Sequence, residues 1–158
     1  MVEAKAFQIW VENRVVLACI RGCWGRFAAE DYSRAFKAAA SRLTGQPWAH
    51  IVYLDDWQLG TPDIEPIVQE LVTWCLHNGL VLTAQVYCPH SVKRYQLDKM
   101  IIEKTLTFER RVYADQQQAF NWLAERGFAV NDASFQRCRF SFSKFPPQPA
   151  IPGCGRWR

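Results

Sequence analysis

The apolar runs 6–11 and 15–20 are strand-like, and alternation in the first puts Phe7, Ile9 and Val11 on one face. A period of two is the signature of a half-buried strand, and Glu12-Asn13-Arg14 between the runs predicts a tight hairpin. The period then changes. Ala28, Tyr32, Ala35, Phe36, Ala39 and Leu43 recur at helical spacing, with Glu30, Arg34, Lys37 and Arg42 facing away, which predicts a helix over 28–43. Gly22-Cys23-Trp24-Gly25 before it reads as a loop, and Thr44-Gly45-Gln46-Pro47 after it as a helix stop.

The stretch 49–54 is apolar on both faces, as in a strand central to a sheet. Asp55-Asp56, a loop containing Gly60, and Thr61-Pro62-Asp63 follow it. The next helix carries the stripe Ile64, Ile67, Val68, Leu71, Val72 and Cys75. Its start can be read in two ways. Thr61 as N-cap gives Pro62 the favoured first position, but Pro66 then removes a regular backbone bond. Asp63 as N-cap puts Pro66 inside the first turn, where its missing donor is harmless, and this start is preferred. Asn78-Gly79 ends the helix through a left-handed residue. A strand over 80–88, a helix over 92–104 and a strand over 106–113 come next. Asp115 with Gln118 three residues on forms a capping box for a last helix, which buries Ala119, Phe120 and Leu123 and stops at Gly127.

The order β-β-α-β-α-β-α-β-α predicts a compact α/β domain: a mixed sheet of about five strands, an opening hairpin and four helices. The domain is expected over 1–136. Residues 137–158 form a basic tail, whose four prolines after Ser141 predict an extended or disordered segment.

At 158 residues and 49% hydrophobic content the chain can bury a core of its own. The net charge of +4 is misplaced as a clue to partners. Five of the nineteen basic residues (Arg137, Arg139, Lys144, Arg156, Arg158) follow the last acid, Asp132, leaving fourteen against fifteen acids. A nearly neutral body disfavours nucleic acid as a partner. No apolar run approaches the ~18 residues needed to cross a bilayer, and 1–5 leads straight into a strand, so the expected location is cytoplasmic with no membrane contact. The six cysteines form no Cys-x-x-Cys pair and read as free thiols.

No phosphate loop, nucleophile elbow or dinucleotide fingerprint is present. Adjacent acids on a strand point to opposite sides, so Asp55 and Asp56 are not a ready acid/base pair. Cys75, His77, Cys88 and His90 fit no standard zinc spacing, and Pro89 between Cys88 and His90 suggests turn geometry rather than a nucleophile and its base. The reading is therefore non-enzymatic, with no catalytic residue, metal or cofactor. Trp24 and Trp57 fall in loops beside Thr61 and, with Tyr32 and Trp48, would line a pocket or partner-facing patch, or else cap the core. Trp10 and Trp74 read as core or sheet-face residues.

Gly22-x-Trp24 before helix one, the Trp48-Ala49 to Asp55-Asp56 strand with Thr61-Pro62, and Tyr113-x-Asp115 leading to Ala119-Phe120-x-Trp122-Leu123 resemble the STAS-like, SpoIIAA-like group. The resemblance covers roughly 5–128. It implies a domain that binds rather than catalyses, as in antagonists of anti-sigma factors and the cytoplasmic domains of anion transporters. In the antagonists a serine at the start of the helix after the third strand is phosphorylated and partner binding is lost. Here that region reads Leu59-Gly60-Thr61-Pro62-Asp63, without an Asp-Ser-Gly signature, so Thr61 is the candidate phospho-acceptor. The expected function is a regulatory or ligand-binding module. It would hold a protein partner or a small apolar or anionic ligand at the loop 55–63, joined by the loop 22–27, through Trp24, Asp55, Asp56, Trp57, Thr61 and Asp63, with a homodimer as a further expectation. The alternative is a small-molecule or lipid-handling enzyme or carrier with an apolar pocket.

Overall fold

A computed structural model describes residues 6–130. The hairpin forms as expected from β1 (Phe7–Glu12) and β2 (Val15–Ile20), which pair antiparallel. Its turn is only two residues, Asn13 and Arg14, both at positive φ (50° and 61°). That conformation matches the right-handed twist of the strands. Arg14 is an unusual occupant, and it is held by bonds to the carbonyls of Pro47 and Gly127 and by the Phe128 ring 4.9 Å from its guanidinium.

After the short strand β3 (Gly22–Trp24) come α1 (Arg26–Ala40), β4 (Trp48–Tyr53), β5 (Trp57–Gly60), a 3-10 turn (Pro62–Ile64) and α2 (Glu65–His77). β6 (Leu80–Val86), α3 (Lys93–Met100), β7 (Glu109–Tyr113) and α4 (Gln116–Glu125) complete the domain. The main sheet has five strands in the order β1-β2-β4-β6-β7, with every pair after the hairpin parallel. β4 is central and buried at all six positions, as its two apolar faces predict.

Alternation along the strands sorts side chains into two cores. Val16, Ala18, Val52 and Leu54 face α1, α2 and α3, meeting Tyr32, Phe36, Leu71, Cys75 and Leu97. Val15, Leu17, Cys19, Ile51 and Val86 face the other way, toward α4 and its Phe120, Trp122 and Leu123. Asp115 caps α4 as expected, its carboxylate accepting from the Gln117 amide at 2.8 Å.

Several boundaries differ from those read in the sequence. β3 and β5 lie in stretches read as loops, yet they pair in parallel as a separate two-stranded ribbon. α2 is not capped by Asp63. Thr61 precedes the 3-10 turn, Asp63 lies inside that turn, and Pro66 falls in the first turn of the helix proper. α3 stops at Met100, four residues early, because the following chain folds into a small hairpin in which Arg110 N–H donates to Glu103 and Thr105 N–H to Phe108. The proposed tail, 137–158, lies outside the described residues. No helix among those described is long and apolar enough to cross a membrane.

His50 sits in the core, with Nδ1 2.8 Å from the Val16 carbonyl and its ring edge-on to Phe36 at 4.8 Å. Burial pushes its pKa down from 6.5 to about 4, against the smaller raising effect of that carbonyl. The ring is thus neutral near pH 7 and Nδ1–H is the donor. Because the folded value lies below the unfolded one, the unfolded chain binds the proton first on acidification. The stability this residue confers is complete above about pH 6.5 and drains away as pH falls toward 4. Chemical denaturation of the wild type and His50→Gln should show the wild type losing about 2.5 kcal/mol more between pH 7 and 4.5. Parallel losses in the two proteins would remove His50 from the account.

Candidate functional site

β4 does not run into an open loop. Leu54 accepts a bond from Trp57 N–H at 3.1 Å, closing a tight turn with Asp55 and Asp56 at its centre. Neither acid lies on a strand, and the two engage different elements. The Asp55 carboxylate accepts from Cys88 N–H, just past β6, at 3.1 Å. The Asp56 carbonyl accepts from Gly22 N–H at 2.9 Å, which starts the pairing of β3 with β5. Lys93 of α3 reaches back to the carbonyls of Leu54 and Asp55 (2.8 and 3.1 Å). The Asp55 carboxylate and the Asp56 backbone therefore brace the turn from two sides.

The β3–β5 ribbon continues this bracing outward. Trp24 and Gly60 are in register, and Thr61 N–H donates to the Trp24 carbonyl at 2.9 Å. Gln96 of α3 clamps Gly60 with both ends of its amide: Oε1 accepts from Gly60 N–H (2.9 Å) and Nε2 donates to Gly60 O (3.0 Å). A Cβ at Gly60 would lie 2.0 Å from Cδ1 of buried Ile64, so a larger residue there would force that core side chain to move. Beside it Leu59 adopts φ +124°, a conformation that favours glycine and carries strain in a leucine. That strain is held at one point by the ribbon, the clamp and the turn together.

Of the residues singled out from the sequence, the structure brings Asp55, Asp56, Thr61 and Asp63 to the exit of β4 and sets them at least partly at the surface. Trp24 and Trp57 are corrected to core residues, 3% and 2% exposed. Pairing in the ribbon turns both indoles inward, where Trp24 Nε1 donates to the Arg21 carbonyl and its ring meets Tyr32 at 5.1 Å. Tyr32 and Trp48 are buried with them, so these four aromatics line no open pocket. Thr61 is exposed, and its hydroxyl donates to the Asp63 carboxylate.

The exposed aromatics at this end of the molecule are ones that periodicity did not single out. Phe27, in the first turn of α1 three residues past Trp24, is 83% exposed. Tyr95, next to the clamping Gln96, is 69% exposed, with Lys99 Nζ 4.4 Å above its ring. Arg26 beside Phe27 bonds Glu30 at 2.8 Å, and Glu30, with a weaker contribution from Asp63, raises the Arg26 pKa. The available signal for Phe27 was positional: a large apolar residue just before the first helix, off the stripe of Tyr32 and Phe36.

Among the described residues no group of three His, Cys, Asp or Glu side chains could hold a metal ion. Cys75 is buried, which pushes its thiol up to about 12 and leaves it unreactive at neutral pH. A cavity of about 300 Å³ opens between α3 and β7, and its walls are charged, with Arg94, Asp98, Glu103, Arg110 and Arg111 among them.

No family model and no curated protein matches this sequence. Among solved structures, an uncharacterised protein of the DUF3478 family with a SpoIIAA-like fold, from Shewanella loihica PV-4, superposes with a TM-score of 0.58. It is 9% identical, and the match spans 78% of this chain and 98% of that one. The anti-sigma factor antagonist SpoIIAA in its unphosphorylated form gives a TM-score of 0.49 at 14% identity, over 75% of this chain and 98% of its own. The phosphorylated form of the Bacillus cell fate determinant SpoIIAA gives 0.44 at 13%, over 74% and 99%. Identity this low speaks to architecture and not to activity, and the architecture of this chain is SpoIIAA-like.

Proposed function

We propose that the chain is a non-enzymatic regulatory module that holds a protein partner at the exit of β4. The supporting observation is Phe27, almost wholly exposed beside a braced and charged loop in which no nucleophile or acid/base pair is assembled. A large exposed aromatic with a polar rim is the usual anchor of a protein contact. Here Asp55, Asp56, Thr61, Asp63 and Arg26 supply the rim. Trp24 and Trp57 support it from beneath by fixing the ribbon. Thr61 is the place where such a contact would be regulated. A phosphate there would replace the hydroxyl now donated to Asp63 and would set two anionic groups against each other.

The cavity between α3 and β7 lends the alternative of an apolar carrier no support, since five charged residues stand among its walls. To test the main reading, a photo-crosslinking phenylalanine is placed at Phe27 and, as a control, at exposed Leu106, and the protein is irradiated in its native cells. A defined adduct from position 27 but not 106, weakened by Thr61→Glu, is the expected result. Equal labelling from both positions would sink this placement.

A further inference from the structure

The cavity of about 300 Å³ between α3 and β7 shares no residue with the contact proposed at the exit of β4. Most of its charges cancel in pairs. Arg110, its side chain 4% exposed, donates to Asp98 Oδ1 at 2.8 Å, which matches one base with one acid. Arg111 is matched in the same way by Glu109. Two charged walls are left over: Arg94 on α3, and Glu103 on the small hairpin that follows it.

Neither has a charged partner within hydrogen-bond reach. Arg94 Nε stands 3.7 Å from Asp98 Oδ2, too far for a hydrogen bond. The Glu103 carboxylate takes part in no hydrogen bond or ion pair among the described residues. Only its backbone is engaged, the carbonyl accepting from Arg110 N–H at 2.8 Å, which holds Glu103 against β7. Arg110 Nε is buried without an acceptor, so the positive charge on this wall is incompletely answered. A purely anionic ligand would meet Glu103, and a purely cationic one would meet Arg94 and Arg110. A ligand carrying both charges, set apart, suits both walls. Val112 and Tyr113 also line the cavity, whose volume stands at the small end of the range for ligand pockets.

We propose that this cavity binds a small zwitterion with an apolar side group, the chemistry of a free α-amino acid. The ligand's carboxylate lies toward Arg94 and Arg110, its ammonium toward Glu103, and its side group against Val112 and Tyr113. Charge-assisted bonds of this kind gain strength where the site sheds part of its water. Arg94 remains 47% exposed, so screening keeps the affinity modest, with a dissociation constant on the order of 1 mM.

The test is an amide-resolved NMR titration of the full chain with L-leucine, L-methionine and L-phenylalanine, each beside its N-acetyl and its carboxamide derivative. At least one parent amino acid should shift the amides of Arg94, Glu103 and Val112 saturably. Its two derivatives, each lacking one of the charges, should bind about tenfold more weakly. Arg94→Gln and Glu103→Gln should each weaken the parent by a similar factor. Both residues are exposed, so the variants keep their fold, and their remaining amide positions check it. Absence of any saturable shift at about 10 mM overturns the proposal. Equal binding of the N-acetyl derivative would make the cavity a reader of anions alone, and equal binding of the carboxamide a reader of cations alone. Variants that bind like the wild type would put the ligand elsewhere. Each of these results overturns the zwitterion site.

Discussion

Arg110→Leu is expected to destabilise the domain by about 3 kcal/mol, although the residue lies on an edge strand and nothing in the local sequence marks it. Its side chain is 4% exposed. Nη1 donates to Gln85 Oε1 at 2.9 Å and Nη2 to Asp98 Oδ1 at 2.8 Å, tying β7 to β6 and to α3. Leucine would leave the Gln85 amide, itself 1% exposed, without its donor in the middle of the sheet. Removing one partner of a buried pair is worse than removing both, so adding Gln85→Leu should recover most of the loss. Urea denaturation of the two single variants and the double variant reads this directly. A single Arg110→Leu change within about 1 kcal/mol of wild type would show that the network is dispensable.

The second large effect is expected at Trp48. It is fully buried where β4 begins, and its indole Nε1 donates to the Asn78 carbonyl at 2.7 Å. Its own N–H donates to the Gly79 carbonyl at 3.0 Å. Gly79 is at φ +102°, and a Cβ there would lie 2.4 Å from the Gln46 carbonyl oxygen, so the turn has no slack with which to close a cavity. Trp48→Ala should therefore cost about 4 kcal/mol, at the upper end of the range for large-to-small core changes. Denaturation followed by far-UV circular dichroism measures it without relying on the deleted fluorophore. A loss under about 2 kcal/mol would mean that α1 and the end of α2 collapse into the space.

How far these features were legible in the sequence follows from the range of the interactions that create them. The hairpin, the central strand and the Asp115 cap are set by residues within a few positions of one another, and each is found as read. The β3–β5 ribbon is not local. Gly22 and Trp57 pair across thirty-odd residues, and a run such as Trp57-Gln58-Leu59-Gly60 is too short to show a period. For the same reason Trp24 and Trp57 read as loop aromatics and are core. Phe27 closes the Gly22–Phe27 loop that the sequence marks as part of the contact surface, but its exposure is conspicuous only once Tyr32 and Phe36 have claimed the buried side of α1. The Arg110–Gln85–Asp98 network left no pattern at all, since an arginine on a strand is ordinarily solvated.

The order of strands in the main sheet has a consequence for synthesis. Read across the sheet, β1, β2, β4, β6 and β7 follow the direction of the chain without a single inversion. Each strand emerging from the ribosome therefore meets a free edge formed by the strand made just before it, and none must wedge between two already paired. The hairpin can serve as a seed, and the sheet can lengthen sideways in step with translation. The bonds from its tip to Gly127 and Ala129, and the burial of β2 against α4, wait for the far end of the domain.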